Sequence, residues 1–328
     1  MELTTRFTRA YGLRTPIAQA GMAFVGMTPD LAVAVSNAGG LGSLGVGLLP
    51  PPAMRQMIAG IRAGTPGPFN VNFITVFTDQ ERIDAVCEAA PAVVSFHWGH
   101  PPREWIDQLH GCGVRVFEQV GSVDAAKRAV GDGIDVVVAQ GLEAGGHNYA
   151  TLPTFVLVPL VADAVAPAMV LAAGGIADGR GLAAALMLGA DGAWVGTRLV
   201  ATDESAAHEG YKERLIAADA TGTVRTSLFG PEMPEFNPMR VLRNRVVDEQ
   251  PSADGPRPVI GHARLGGETV ELRRLTNLVP MRDATTGDLE EMPLLAGQGV
   301  GLVDAVKSAE SVIADMTAQA ASLLRAYS

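Results

Sequence analysis

Short apolar runs recur along the first part of the chain: Pro16–Met22, Gly40–Val46, Phe69–Phe73, Ala92–Trp98, Val114–Val120, Asp135–Gln140, Met169–Ala173 and Ala193–Leu199. Each is too short for a core helix and too uniformly apolar for a strand with one wet face. The pattern therefore predicts eight strands buried on both sides. Between them lie stretches of helical length and periodicity, among them Asp30–Asn37, Pro52–Arg62, Asp79–Ala89, Arg103–His110, Ser122–Val130 and Gly179–Leu188. The apolar stretch Phe155–Ala177 is broken by Pro159, Asp163, Pro167 and Gly174-Gly175, so it reads as a helix and then a buried strand rather than a membrane span. Eightfold strand–helix alternation predicts an α/β fold, an eight-stranded parallel β/α (TIM) barrel over residues 1–201, with its chemistry at the carboxyl ends of the strands.

After Val200 the pattern changes. Residues 202–292 carry scattered prolines, charge clusters and a hairpin-like stretch, Val259–Leu272, around Gly266-Gly267, which predicts an inserted lid or small substrate-covering domain. Residues 293–328 are expected to return to the barrel, with helical periodicity from Leu302 to Tyr327.

Composition narrows the function. In 328 residues, 25 Lys+Arg stand against 35 Asp+Glu, a formal charge of −10 without a basic stripe, which argues against nucleic-acid binding. At 48% hydrophobic and 18% charged residues, the chain has enough apolar side chain for a large core. Cys87 and Cys112 have neither metal-ligand nor CxxC spacing, and the start Met1-Glu2-Leu3-Thr4 lacks a signal-peptide core. A reduced, cytoplasmic protein without a membrane segment is the expectation.

Gly40-Leu41-Gly42-Ser43-Leu44-Gly45 spells a dinucleotide fingerprint, but it follows a helix and runs into Pro50-Pro51-Pro52 instead of opening one, so a Rossmann site is rejected. Gly174-Gly175 after the seventh strand and Gly196-Thr197 at the eighth occupy the barrel's usual phosphate position. Their backbone N–H groups could close on an anion, with a helix starting near Asp178-Gly179 aimed at the same place.

The sixth strand ends in Gln140-Gly141-Leu142-Glu143-Ala144-Gly145-Gly146-His147. Two glycines ahead of an imidazole suit close approach of a flat ligand, and His147 is the candidate catalytic group. Further polar residues sit at other strand ends: Gln19, Asn70, Asn72, Ser95, His97 and Gln119. Amides rather than charges suit a ligand rich in neutral donors and acceptors, such as a flavin ring. His97 and His100 have no carboxylate or cysteine at useful spacing, so no metal is expected. Neither a GxSxG elbow, a close acidic pair nor a strand-end lysine is evident, and acyl transfer and aldol chemistry recede.

Taken together, Pro16–Met22, Asn37–Gly42, Phe69–Asn72, Val94–His97, Ala139–His147, Ala173–Gly181, Leu188–Arg198 and Ala296–Leu302 resemble the nitronate monooxygenase family of FMN-containing β/α barrels. The resemblance implies FMN as cofactor, with its phosphate on Gly174, Gly175, Gly196 and Thr197. Ala20, Gly21, Met22 and Asn72 would border the flavin ring, Gln119 and Gln140 would bond it, and Gly145 and Gly146 would let it approach. His147 would be the base or the substrate-orienting group, with His97, Tyr149 and Gln298 near the substrate. The implied reaction oxidises an alkyl nitronate with O2 to a carbonyl compound and nitrite. The same motifs resemble NAD(P)H:quinone reductases and enoyl-acyl-carrier-protein reductases of this barrel, while Ser95-Phe96-His97 and Gln298 are more similar to the monooxygenase branch. The expected partners are a small-molecule substrate and O2, and the resemblance allows a homodimer.

Overall fold

Helices begin where a side chain can take up orphan N–H groups. The Thr5 hydroxyl and Thr8 form a capping box for α1 (Arg6–Tyr11), and Asp79 and Ser122 cap α4 (Gln80–Ala89) and α6 (Val123–Gly131). Proline stands in the first turn of α2 (Pro29–Asn37) and α3 (Pro51–Gly64), where a missing N–H costs nothing. With α5 (Arg103–Gly111), α7 (Thr154–Val165) and α8 (Gly179–Met187), these helices alternate with the strands of a computed structural model that describes residues 3–326. The ends of two sequence expectations, Met1-Glu2 and Tyr327, lie outside the described residues.

The strands are β1 (Ile17–Gln19), β2 (Gly42–Gly45), β3 (Phe69–Ile74), β4 (Val93–His97), β5 (Arg115–Val120), β6 (Val136–Gln140), β7 (Gly146–His147), β8 (Met169–Ala173) and β9 (Gly192–Val195). All but β7 form one parallel sheet in the order β1-β9-β8-β6-β5-β4-β3-β2. A bridge between Ala18 and Leu41 closes it into a barrel, the Gln19 N–H donating to the Leu41 carbonyl at 2.8 Å. The expected eight-stranded parallel barrel is therefore the observed one.

Two strands stop three or more residues earlier than the apolar pattern predicts. The first run extends to Met22, but the chain turns after Gln19, with the Gly26 N–H donating to the Met22 carbonyl at 3.1 Å. The eighth extends to Leu199, but Gly196 leaves the extended conformation (φ −106°, ψ −84°) and its carbonyl accepts the Leu199 N–H, so α9 (Thr197–Val200) is a helical turn. Apolar periodicity cannot separate a buried strand from a buried helical turn.

Beyond α9 the ring is interrupted. Residues 202–292 supply α10 (Glu209–Ala217), β10 (Thr223–Thr226), β11 (Met239–Leu242), α11 (Arg245–Glu249), the hairpin β12 (Val259–Leu265) and β13 (Glu268–Arg273), and β14 (Thr285–Gly287). β11 pairs antiparallel with both β10 and β7, so the segment carrying His147 is woven into this appendage. Gly266 and Gly267 take positive φ at the hairpin tip, as the sequence expected. The last helix, α12 (Ala309–Ala326), then packs between α8 and α2, where the barrel's final helix belongs. Val312, Ile313, Met316 and Ala320 share a core with Ile17, Leu31, Val35 and Leu182. No helix among the described residues is long and apolar enough to cross a membrane.

Candidate active site

The carboxyl ends of the barrel strands and the appendage enclose a cavity of about 680 Å³. The residues that the resemblance assigns to the site all line it except Tyr149 and Gln298, whereas the other strand-end polar residues, Gln19, Asn70 and Ser95, do not. Gln298 is exposed, and its N–H donates to the Glu143 carbonyl. Tyr149 stands behind the wall, its hydroxyl donating to the Gln119 carbonyl at 3.1 Å and its ring stacked near His97.

The inward amides divide by height. Deep in the barrel, Gln19 clasps the backbone of Ser43 through both ends of its amide, and Asn70 donates to the Ser43 and Ser95 hydroxyls. Gln19 is thereby a satisfied core amide, while Asn70 uses its amide nitrogen and keeps Oδ1 buried without a partner. Asn72, one pleat higher, donates to the Ser95 hydroxyl at 2.8 Å and lies flat on Gly21, where an added Cβ would come within 2.0 Å of its Cγ. Gln140, at the end of β6, is 5% exposed and lines the cavity, and its side-chain amide has no protein hydrogen-bond partner among the described residues. Trp194 in the same lining keeps a buried indole N–H without a partner. Two such groups in one pocket call for a polar ligand or ordered water.

His147 owes its position to distant chain. Its ring nitrogen Nδ1 donates to the Phe236 carbonyl at 2.5 Å, and the Phe236 ring stacks on it with centroids 3.5 Å apart. Since a carbonyl only accepts, Nδ1 carries the proton and Nε2 is left with a lone pair. Trp98 packs edge-on against both rings and donates its indole N–H to the Glu235 carbonyl. The His97 Nδ1 accepts from the Gln119 amide at 2.8 Å, and the His97 ring also bonds the backbone of His147. Burial pushes His147 down to about 3, with the nearby His97 adding to the shift and the Phe236 carbonyl opposing it. Burial likewise pushes His97 down to about 4, so both imidazoles are neutral in ordinary buffers.

The His147 loop is held from below by buried polar groups. Asn148 donates its amide to the carbonyls of Gly141, Leu142 and Ala144, while Arg240 reaches the Leu142 carbonyl and Arg225 the Asn148 carbonyl. Gly145 is required by the protein's own packing: an added Cβ would come within 2.5 Å of the Ala296 carbonyl carbon and the Gly297 nitrogen. Glu143 turns its carboxylate to the Thr154 N–H and hydroxyl at the start of α7, away from the cavity.

At the phosphate position Gly174 is closely packed, an added Cβ coming within 2.9 Å of the Thr154 hydroxyl oxygen, while Gly175 and Gly196 leave more room. Beyond its neighbours, Gly175 (φ +74°) faces Glu143 Cβ at 3.6 Å, and Gly196 faces Ala20 Cβ at the same distance. The Thr197 hydroxyl accepts the Gly297 N–H at 2.9 Å, which leaves its own proton to donate. The expectation for α8 needs correction. Its first N–H groups are already taken, Gly179 by the Gln319 side chain and Arg180 and Gly181 by the Asp178 carboxylate. A helix end capped by its own carboxylate offers no further donors to an anion.

The sequence reading missed the outer wall. Phe24, Phe77, Met233, Phe236 and Leu278 line the cavity, most of them from the appendage, where no periodicity announced them. His100, weighed as a metal ligand, points elsewhere, bridging the buried Glu118 and Asp132 at 2.8 and 3.0 Å. No cluster that could hold a metal occurs among the described residues.

The sequence and the fold are similar to those of known proteins. The chain is 36% identical to the nitronate monooxygenase of Pseudomonas aeruginosa over 271 residues, 68% of this chain and 77% of that one. Its fold is similar to FabK from Thermotoga maritima, with a TM-score of 0.83, 33% identity and coverage of 99% of this chain and 100% of that one. It is also similar to a nitroalkane oxidase from Streptomyces ansochromogenes, with a TM-score of 0.79, 28% identity and coverage of 98% and 99%. The profile described as nitronate monooxygenase matches residues 4–81 and 74–319, nearly the whole barrel and its appendage. A closed β/α barrel with an interrupted eighth unit, a His147 loop at its mouth and this match together place the chain in the nitronate monooxygenase family, and it is an oxidoreductase.

Proposed function

We propose that this enzyme binds FMN and oxidises alkyl nitronates with O2 to carbonyl compounds and nitrite. The observation that carries the reading is His147: a neutral imidazole with Nδ1 tied to the Phe236 carbonyl and Nε2 bearing a lone pair, on the wall of an enclosed cavity.

The residues present fit FMN. The unclashed backbone at Gly175 and Gly196 and the Thr197 hydroxyl suit the phosphate, while the Gln140 amide and the Asn72–Gly21 surface suit the ring. When bound, the flavin supplies electron transfer between substrate and oxygen. The protein supplies the rest. His147 accepts the α-proton of a nitroalkane at Nε2, which leaves the nitronate anion and an imidazolium; a substrate entering as nitronate needs no such step. The apolar walls exclude bulk water and leave room for O2.

A second reading has its own support, since FabK resembles this chain over nearly its whole length. In that reading the same residues would hold the flavin, NADH or NADPH would be the electron source and a quinone or enoyl thioester the acceptor. Anaerobic absorbance titration of the flavin-loaded protein separates the two. Bleaching by an alkyl nitronate alone supports the monooxygenase, bleaching by a reduced nicotinamide alone supports the reductase, and bleaching by neither sinks both.

A further inference from the structure

The cavity wall carries no full charge. Among the described residues that line it there is no Lys, Arg, Asp or Glu, and its ionisable imidazoles, His97 and His147, are held by neutral hydrogen bonds. The charges closest to the loop are turned outward: Glu143 to Thr154, Arg240 to the Leu142 carbonyl, Arg225 to the Asn148 carbonyl. The outer wall is hydrocarbon, from Phe24, Leu48, Ile74, Phe77, Met233 and Leu278.

From this composition we infer that the substrate is a compound with an extended apolar body and at most one negative charge, rather than a short nitronate carrying a carboxylate as a second charge. The inference rests on the functional reading above, in which FMN brings a phosphate of nearly two negative charges into the same uncharged enclosure. A nitronate adds one more at the reacting end. A carboxylate on a short substrate would add another inside the pocket, where no cation answers it, and Coulomb repulsion at an effective dielectric near 20 disfavours it by on the order of tenfold. Methylenes placed on the outer wall gain instead, by roughly fourfold in affinity each.

The test uses the flavin-loaded protein with the nitronates of nitroethane, nitropropane, nitrohexane and nitrodecane, and with propionate nitronate. The expected result is a kcat/KM that rises about fourfold per methylene over the first additions, with propionate nitronate at least about tenfold below nitropropane nitronate. A flat or falling series, or propionate nitronate as the preferred substrate, overturns the inference while leaving the functional reading intact. Leu48→Lys, at an exposed position on the cavity wall, is expected to raise the relative rate with propionate nitronate; no gain counts against the uncharged wall as the cause.

Binding without turnover separates the two failures. Decan-1-ol is expected to raise the Tm of the flavin-loaded protein and succinate to leave it unchanged. If no nitronate reacts but decan-1-ol still binds, the functional reading fails and the apolar site stands. If succinate stabilises and decan-1-ol does not, the apolar site fails.

Discussion

The imidazole of His147 donates its Nδ1 proton to the main-chain carbonyl of Phe236, 89 residues later in the chain. A bond to a backbone carbonyl fixes both the ring's orientation and its tautomer, since the acceptor cannot change role. The nitrogen that faces chemistry is chosen by the appendage and not by the loop that carries the histidine. β7 pairing with β11 holds the two segments in register, Gly146 opposite Arg240 and His147 opposite Met239.

His147→Ala is expected to keep stoichiometric flavin and lose about 100-fold or more of turnover with nitroalkanes, the usual cost of a missing proton acceptor. Turnover with preformed nitronates is expected to fall less, because that substrate has already lost its proton. The comparison needs steady-state rates on both forms of one compound. Equal losses would assign His147 to orientation instead of proton transfer.

Acid stability follows from the two buried imidazoles. Burial holds His97 near 4 and His147 near 3, both below the ordinary value of 6.5. Between those limits and 6.5 the unfolded chain binds more protons than the folded one, so stability is full above about pH 6.5 and declines as pH falls. Each histidine contributes a slope of at most about 1.4 kcal/mol per pH unit. His147→Gln is expected to flatten the fall of Tm between neutral pH and pH about 4, as measured by calorimetry; an unchanged slope would place the acid sensitivity elsewhere.

Gly175→Asp tests the phosphate cradle. The position has positive φ and an added Cβ would touch Glu143 at no less than 3.6 Å, so a carboxylate there meets both backbone strain and an incoming phosphate. The variant is expected to purify with little flavin, read as the ratio of flavin to protein absorbance. A full complement of flavin would show that the phosphate lies elsewhere.

Gly145→Ala makes a different prediction from a neighbouring glycine. Its Cβ would press on the Ala296–Gly297 backbone, so the expected loss is stability of about 1–3 kcal/mol. The readout is the denaturant midpoint of the apoprotein, where flavin contributes nothing. An unchanged midpoint would mean that the loop after β6 yields easily.

The strand–helix alternation was legible because a parallel barrel buries every strand on both faces, and that leaves uniform apolar runs that a linear sequence displays directly. The ends of those runs were not, since Gly196 breaks β9 by its backbone angles while Leu199 and Val200 remain as apolar as a strand. The glycine loops and His147 stood out because their residue types are unusual at strand ends. Sequence could not tell that the Gln19 amide and the Asn70 amide nitrogen are taken up by Ser43 and Ser95 while Gln140 lines the cavity, because height along the barrel axis decides which amide meets a partner.

By itself the sequence determined the barrel, the loops at its mouth and the identity of the polar groups there, because each depends on local periodicity or on what one residue type can do. Tertiary structure alone decided the tautomer of His147, the aromatic wall of Trp98 and Phe236, the capping that withdraws α8 from the phosphate site and the absence of charge among the described residues that line the cavity. Those properties depend on contacts between residues far apart in the chain, and only the closed fold brings such residues within hydrogen-bonding and packing distance.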